Sequence, residues 1–200
     1  MTVQILRARD RLETPWKNGG GVTREIAVFP PGAGLDTFDW RVSMATVTAG
    51  GPFSLFPGVD RILSVLEGEL HLCLDNEVKL DLSPGSPPAA FSGDAAVRAE
   101  PPASPVTDLN VMTRRGRVRA RVDHLTLDGA RAGTATETTL ILTLSSGVRV
   151  GHECGVWDLG RFDAALVQYA SGESIELSSV GSGAVIKIDF DASDRRNRMA

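Results

Sequence analysis

Arg41 and Arg61 are the residues through which this chain could bind a small anion. A guanidinium group can hold a carboxylate through two parallel hydrogen bonds. Residues of complementary chemistry stand near them in the sequence: Ser43, Asn18 and Thr23 as orienting groups, Lys17 as a further cation, Glu25 as an acceptor, and Trp16 or Trp40 as an apolar wall. We therefore predict a ligand site made of Trp16, Lys17, Asn18, Thr23, Glu25, Arg41, Ser43 and Arg61.

The roles of several of these residues stay open at this level. On a strand, Arg41 and Ser43 share one face and their apolar neighbours share the other, and the sequence does not decide which face points inward. Arg24 with Glu25, and Asp60 with Arg61, could be structural ion pairs. In an enzyme, Glu25 or Asp60 could instead be the general base, with an arginine stabilising an anion.

Three consecutive glycines, Gly19 to Gly21, follow Asn18. Such a run is costly in conformational entropy and belongs where the backbone turns tightly or approaches a ligand or another strand. Asn-Gly favours a hairpin turn, so the segment is either a turn alone or a turn that also lines a site. No Gly-Lys-Ser/Thr or Gly-x-Gly-x-x-Gly pattern indicates nucleotide binding.

The histidines and cysteines do not form a metal-binding pattern. His71, His124 and His152 are scattered. A cluster of His152, Glu153 and Cys154 is conceivable, but adjacent residues of a strand point to opposite faces. The remaining cysteine, Cys73, lacks a CxxC partner, and both cysteines are predicted to be free thiols. We predict no metal and no cofactor.

Composition narrows the class of protein. The 200 residues carry a net charge of −4, which argues against nucleic acid as a partner. One arginine-rich stretch is predicted to be the solvated face of a strand: Arg114, Arg115, Arg117, Arg119 and Arg121. The N-terminus lacks the apolar region of a signal peptide, and no apolar run is long enough for a membrane span. We expect a cytoplasmic protein without a membrane partner.

The elements that must position these residues are strands. The 21 glycines and 11 prolines punctuate short apolar and β-branched runs, which is typical of an all-β sandwich or barrel. Segments 61–66 and 69–74 are predicted to pair as a hairpin, and 84–105 and 128–137 are predicted to be loops. The predicted strands are 22–29, 40–47, 61–66, 69–74, 78–82, 109–113, 117–127, 138–144, 148–150, 165–169, 174–177 and 184–190.

A weak internal similarity suggests two halves. Segments 64–72 and 167–177 each read as a strand, a glycine turn and a second strand. We predict one compact unit built from an N-terminal half, 1–115, a C-terminal half, 116–193, and a flexible tail, 194–200.

Four ordered blocks resemble the HutD/Ves family of cupin-fold proteins. Residues 15–26 read Pro-Trp-Lys-Asn-Gly-Gly-Gly-Val-Thr-Arg-Glu-Ile, 38–45 read Phe-Asp-Trp-Arg-Val-Ser-Met-Ala, and 51–61 read Gly-Pro-Phe-Ser-Leu-Phe-Pro-Gly-Val-Asp-Arg. Phe-Ser-Gly-Asp at 91–94 precedes Thr-Asp-Leu-Asn-Val-Met at 107–112. The blocks cover roughly residues 15–115, and beyond residue 120 only a general β pattern remains.

The resemblance implies a bicupin, a double β-barrel or jelly-roll sandwich. It also implies an accessory or regulatory role in histidine utilisation, by sensing a small anionic metabolite such as urocanate or formylglutamate. Where cupins supply metal ligands, this chain has Asp60 and Arg61, and a fixed cation would repel a metal. The alternatives are a metal-independent isomerase or hydrolase acting on a small acid, and a protein–protein module. A homodimer is the expected partner arrangement if the chain is not a monomer.

Overall fold

The structure is a computed structural model that describes residues 2–100, 102–134, 136–152, 155–168 and 174–192. Over these residues the chain forms strands and one turn of 3-10 helix, Ala8–Asp10, so the predicted all-β class is confirmed. In the same residues there is no helix with the length and hydropathy needed to cross a membrane. The strands are β1 (Thr2–Leu6), β2 (Glu13–Pro15), β3 (Gly21–Phe29), β4 (Trp40–Val47), β5 (Gly51–Pro52), β6 (Val59–Glu67), β7 (Leu70–Leu74), β8 (Val78–Leu82), β9 (Ala89–Ser92), β10 (Val97–Ala99), β11 (Val106–Arg114), β12 (Val118–Thr134), β13 (Thr138–Thr143), β14 (Val148–His152), β15 (Gly155–Leu159), β16 (Ala164–Gln168) and β17 (Ser174–Ala192).

The strands belong to two compact units. The N-terminal unit is Arg11–Val118, and the C-terminal unit is Met1–Asp10 together with Arg119–Ala200. These bounds differ from the predicted halves, 1–115 and 116–193, chiefly because β1 pairs antiparallel with β16, which brings the first residues to the C-terminal strands. The predicted tail, 194–200, lies outside the described residues.

The N-terminal unit is a sandwich of two antiparallel sheets. The larger has the order β2-β3-β4-β11-β6-β9, and the smaller has the order β5-β10-β7-β8. Both sheets contribute to one apolar core, which the period-two alternation of each strand directs inward. The buried core residues are Val47, Leu63, Val65, Leu70, Leu72, Leu82, Ala89, Phe91, Val97, Ala99 and Val106.

The predicted hairpin of 61–66 with 69–74 is wrong. β6 pairs with β11 and β9 in the larger sheet, whereas β7 pairs with β8 and β10 in the smaller one. The chain changes sheet at Gly68, whose φ of +80° is unfavourable for residues with a Cβ atom. A Cβ there would also lie 3.1 Å from the Pro105 carbonyl oxygen. The glycine therefore marks a crossing between sheets and not a hairpin turn.

The C-terminal unit is a single curved sheet wrapped around its own core. Its order is β1-β16-β13-β17-β14-β15, with β12 also pairing β17. Strands along the whole order supply the core, which requires the sheet to curl back on itself. The buried core residues are Leu127, Ile141, Val148, Val150, Leu159, Ala165, Val167, Ile175, Leu177 and Val185.

Both predicted loops contain regular structure. The segment 84–105 holds the short strands β9 and β10, and β12 extends through most of 128–137 to Thr134. The proline- and alanine-rich composition of 84–105 concealed β9, an edge strand of four residues that pairs only with β6 among the described strands.

Gly19 and Gly20 lie in the turn between β2 and β3, and Gly21 is the first residue of β3. The Trp16 N–H donates to the Gly21 carbonyl at 2.9 Å, and the Gly19 N–H donates to the Trp16 carbonyl at 3.0 Å. Gly19 has a φ of +70°. At Gly21 a Cβ would lie 2.5 Å from the backbone oxygen of Thr46, because β3 and β4 approach closely there. Gly19 is therefore favoured by its positive φ, whereas Gly21 is favoured because a side chain would not fit beside β4.

Gly21→Ala should lower the free energy of unfolding by about 2 kcal/mol, because the added methyl group collides with backbone that cannot rotate away. Gly20→Ala is the matched control, since a Cβ at Gly20 meets the Asn18 side chain at 3.4 Å. Urea denaturation of both variants measures the difference. Equal stabilities would contradict the steric role of Gly21.

Candidate functional site

Polar side chains collect at one end of the inward face of the larger sheet. The register sets Met112 of β11 opposite Arg41 of β4 and also opposite Arg61 of β6. Two residues earlier on β11, Asn110 lies opposite Ser43. Because alternate residues share a face, these side chains point to the same side as four core residues towards the other end: Val47, Leu63, Val65 and Val106.

A cavity of about 700 Å3 opens at this polar end. All eight residues predicted from the sequence line it, although the elements that carry them are far apart in the chain. The structure thus brings the eight side chains together around one cavity. That they bind a ligand stays a prediction. The wall also contains residues that the sequence argument did not select, among them Phe53, Phe56, Asp108, Asn110 and Met112.

Arg61 is a buried cation with an incomplete set of partners. Arg61 is only 6% exposed. The Nη2 group donates to Asn110 Oδ1 at 2.6 Å, but Nε is buried without a hydrogen-bond partner. Burial lowers the pKa of Arg61 to about 10, so the group remains charged at neutral pH.

Three aromatic rings surround the Arg61 guanidinium. The distances from Cζ to the ring centroids are 5.2 Å for Phe53, 5.7 Å for Phe56 and 5.1 Å for Phe91. The electron-rich faces of such rings attract a cation at these distances. They replace part of the lost hydration but offer no lone-pair acceptor, so the hydrogen-bonding deficit of Arg61 Nε remains.

Asp108 is a buried acid in the wall of the cavity. Its Oδ1 accepts from Asn110 Nδ2 at 2.7 Å, whereas its Oδ2 is buried without a partner. Asn110 thus connects Asp108 to Arg61 through two hydrogen bonds. Burial raises the pKa of Asp108 to about 7, and this effect outweighs the opposing attraction of Arg61 and the Asn110 hydrogen bond.

Arg41 is held by one partner on the adjacent strand β3 and one on its own strand. Its Nε donates to Glu25 Oε2 at 2.7 Å and its Nη1 to Ser43 Oγ at 3.3 Å. The open question of the β4 faces is therefore answered: Arg41 and Ser43 face the cavity, and Trp40, Val42 and Met44 are buried on the other face. Glu25 compensates the charge of Arg41, so the two arginines differ in what they can offer a ligand.

The turn between β2 and β3 supplies a wall of the cavity. Trp16 Nε1 donates to Thr23 Oγ1 at 2.8 Å, and the Trp16 ring meets Phe53 edge-on at 6.4 Å between centroids. Asn18 Oδ1 accepts from the Gly20 N–H at 3.0 Å. Lys17 is exposed. The segment is therefore a turn that also lines the cavity, which was one of the two interpretations left open by the sequence.

A family model described as HutD matches residues 8–186 of the chain. The chain belongs to the HutD family. Its relatives include an uncharacterised 21.2 kDa protein of the hutC 3′ region in Pseudomonas putida, 39% identical over 80% of this chain and 84% of the relative. Protein Ves of Citrobacter koseri is 40% identical over 72% of this chain and 70% of its own length. The predicted family is confirmed.

Several solved structures share the fold of this chain. A conserved protein of unknown function, PA5104 of Pseudomonas aeruginosa PAO1, has a TM-score of 0.87 at 34% identity, covering 96% of this chain and 100% of its own. HutD from Pseudomonas fluorescens SBW25 has a TM-score of 0.83 at 31% identity with the same coverage. A Cupin 2 conserved barrel domain protein from Leptotrichia buccalis has a TM-score of 0.61 at 9% identity, covering 94% of this chain and 96% of its own. That likeness concerns the fold alone, and it confirms the predicted cupin-like fold.

The two ion pairs considered between sequence neighbours are not formed in this HutD-family protein. Arg24 pairs with Glu13, and Glu25 pairs with Arg41. Asp60 pairs with Arg115 at 2.8 Å on the outer face, where its side chain is 54% exposed. Because Asp60 and Arg61 are adjacent on β6, their side chains point to opposite faces. Asp60 therefore cannot be the base of a reaction in the cavity.

The predicted exposed strand face of the arginine-rich stretch is confirmed for Arg119 and Arg121, which are exposed on β12, but not for Arg115 and Arg117. Residues 115–117 form the turn between β11 and β12, and not part of a strand. Arg114 donates to the backbone oxygens of Phe38, Pro57 and Asp36. Arg115 and Arg117 form ion pairs with acidic side chains. These arginines tie loops of the HutD fold together.

The histidines lie on separate strands, β7, β12 and β14. His71 is paired with Asp81 at 2.6 Å, and this hydrogen bond raises the pKa of His71. Within the described residues, no three His, Cys, Asp or Glu side chains converge as metal ligands. Cys73 is a free thiol, and Glu153 and Cys154 of the conceivable cluster lie outside the described residues.

Sequence reasoning missed Asp108 and Asn110, although a signal was present. Both polar residues alternate with Leu109 and Val111 in a strand that reads as core. An Asp at such a position is rarely buried without a specific partner. That alternation could have placed Asp108 and Asn110 on the face of Arg41 and Ser43, had the pairing of β11 with β4 been known.

Asp108→Asn should change how stability depends on pH. The folded protein holds the Asp108 proton more tightly than the unfolded chain, where the pKa is near 3.8. Wild-type stability should therefore fall as the pH rises from the unfolded pKa towards the folded pKa of about 7, and then level off. Between about pH 5.5 and about pH 8 the wild type should lose roughly 2 kcal/mol more than the variant.

Urea denaturation at both pH values measures this difference. Asp60→Asn, which replaces an acid on the outer face, is the matched control and should keep the pH response of the wild type. If Asp108→Asn and the wild type respond equally to pH, the assignment of a neutral-range pKa to Asp108 is wrong.

Proposed function

We propose that this HutD-family protein binds a small carboxylate metabolite in the cavity of its N-terminal unit, without a metal, in an accessory or regulatory role. The observation that carries the proposal is the buried Arg61 guanidinium, whose Nε has no hydrogen-bond partner and which lines the cavity. A buried donor on a charged group is costly to leave unpaired. A ligand carboxylate supplies the missing acceptor and the opposite charge together.

The charge of the cavity supports an anion. Its wall carries three cations, Lys17, Arg41 and Arg61, and two acids, Glu25 and Asp108. Glu25 is already paired with Arg41. The net charge is therefore positive whether Asp108 is ionised or protonated. The volume of about 700 Å3 lies within the range of small-molecule sites.

The shape of the cavity favours a ligand with one charged end and one flat or apolar part. Arg61 lies among the Phe53, Phe56 and Phe91 rings, and Trp16 packs on Phe53. Glu25, which is exposed, could accept from an imidazole or formimino nitrogen. Urocanate combines these features, and formylglutamate supplies carboxylates for Arg61 together with a small planar formamide group.

The names of relatives point to the same context. One relative is encoded in the hutC 3′ region, and the structure of HutD from Pseudomonas fluorescens is described for a formate condition. We extend this context to the present chain and propose a link to histidine degradation. We also propose that its two units are two cupin domains, a bicupin, on the basis of the similar strand–glycine–strand segments in each half.

Arg61→Ala should weaken carboxylate binding by at least about 30-fold, because charged hydrogen bonds to the ligand are lost. A thermal-shift screen against urocanate, formylglutamate, formiminoglutamate and histidine identifies the ligand, and calorimetry gives its Kd. Arg117→Ala, which removes an exposed arginine bonded to Asp39, is the control. Unchanged affinity in Arg61→Ala would reject the site, and destabilisation by EDTA would reject the metal-free proposal.

An enzyme is the second candidate, and Asp108 is the observation that favours it. A buried carboxyl group with a pKa of about 7 suits general acid–base catalysis at neutral pH. In this case the protein would be a metal-independent isomerase or hydrolase of a small acid. NMR of each ligand incubated with the protein should then show turnover that Asp108→Asn abolishes and Arg117→Ala retains. Ligands that remain intact would exclude this candidate.

A further inference from the structure

We propose that Asp108 is the internal counter-ion of Arg61 and that an anionic ligand takes its place, so that Asp108 binds one proton from solvent when the ligand binds. This inference rests on the proposed function, because it concerns the same cavity. In the free protein a carboxylate at Asp108 balances Arg61. In the complex the ligand anion balances Arg61, and the neutral Asp108 carboxyl group donates its new O–H to a ligand oxygen.

The first support is the hydrogen-bond chain. Arg61 Nη2 donates to Asn110 Oδ1 at 2.6 Å, and Asn110 Nδ2 donates to Asp108 Oδ1 at 2.7 Å. The amide of Asn110 is oriented by both charges at once, with its acceptor towards the cation and its donors towards the acid. The chain thus couples the charge of Asp108 to that of Arg61 within the buried wall of the cavity.

The second support is the pair of unused atoms at the ends of this chain. Arg61 Nε and Asp108 Oδ2 are both buried and both lack hydrogen-bond partners. The two residues are 6% and 1% exposed, and both line the cavity. An anionic ligand in this cavity would offer acceptor oxygens to Arg61 and to a protonated Asp108, the two groups that have an atom without a partner.

The other charged residues around the cavity are not placed to act as the buried counter-ion of Arg61. Glu25 of β3 is paired with Arg41 of β4 at 2.7 Å. Lys17, in the turn between β2 and β3, is exposed and therefore hydrated. Directly opposite Asp108 in the sheet are Ala45 of β4 and Val65 of β6, neither of which titrates. Among these groups, Asp108 is the buried acid that senses the charge state of Arg61.

The electrostatic consequence follows from the local charges. The attraction of Arg61 lowers the pKa of Asp108, while burial raises it more strongly. A bound anion cancels the attraction of Arg61 and adds a negative charge beside Asp108, and both changes favour the protonated acid. Ligand binding and proton binding are therefore mutually favourable, and linkage requires affinity to fall as the pH rises.

This arrangement also selects the ligand. A neutral Asp108 offers an O–H donor beside the Arg61 cation, so the group held there must present acceptor oxygens and negative charge. A carboxylate meets both conditions. An amide or amidine in the same position would bring an N–H donor or a positive charge against Arg61, and would bind poorly. The cavity should therefore prefer a carboxylate to its primary amide.

Calorimetric titration of the intact protein with N-formylglutamate tests the inference, because this probe has no group that titrates near neutral pH. Titrations in two buffers of different ionisation enthalpy give the number of protons taken up. Uptake should approach one proton at about pH 8 and fall well below that at about pH 6, and Kd should rise about tenfold per pH unit above the pKa of Asp108.

Two variants separate Asp108 from other titrating groups. Asp108→Asn should bind the probe without proton uptake and with a Kd that does not change between about pH 6 and about pH 8. His71→Gln removes a titrating side chain of the same unit that lies outside the cavity, on the β7–β8 hairpin, and should keep the wild-type uptake.

The outcomes distinguish this inference from the proposed function. Wild-type binding without proton uptake at either pH would overturn the role of Asp108 and leave the carboxylate site standing. Uptake that persists in Asp108→Asn would overturn it as well. If the wild type bound neither N-formylglutamate nor formate, both the proposed function and this inference would be rejected. If the Asp108→Asn variant fails to fold, the absence of proton uptake in the wild type still overturns the inference.

Discussion

The burial of one guanidinium group, that of Arg61, constrains the inward face of the larger sheet in the N-terminal unit. Moving a charge of this kind out of water costs several kcal/mol even after the surroundings relax. Three phenylalanine rings, the Asn110 side chain and Asp108 recover part of that cost around Arg61. None of them completes its hydrogen bonding, since Nε remains without a partner. A group so placed lowers the stability of the fold, and this cost is the basis of the proposal that Arg61 serves a ligand.

The same constraint explains the division of the larger sheet into two ends. Towards one end of the inward face, β4, β6 and β11 carry the apolar residues of the main core. Towards the other end they carry polar residues, beside a smaller buried apolar cluster of Phe38, Val59 and Met112. The apolar end meets the smaller sheet and forms the core. The polar end cannot pack in this way, because its charges would be sealed without partners. It lines the cavity instead, so the site lies where the core stops.

The sequence predicted individual strands better than it predicted the contacts between them that build the site. β4 and β8 coincide with the predicted segments, because alternation and turn residues are local signals. The role of Gly68 is not local, since the crossing between sheets depends on strands that lie more than thirty positions later in the sequence. For the same reason Asp108 was missed, since its relation to Arg61 arises only when β11 pairs with β6. Conversely, the nearness of Asp60 to Arg61 in sequence was misleading, because neighbours on a strand face opposite ways.

The two arginines that suggested an anion site from the sequence turn out to have different parts in it. Arg41 has its own carboxylate, Glu25, on the neighbouring strand, and it orients Ser43 at the same time. Arg61 reaches an acid only through an amide, and that acid has a pKa near 7 and an oxygen to spare. A ligand that competed for Arg41 would have to displace a formed ion pair. In the complex we propose, a ligand at Arg61 would meet a counter-ion that a single proton neutralises. The proposal therefore puts the charged end of the ligand at Arg61, with Arg41 in the wall beside it.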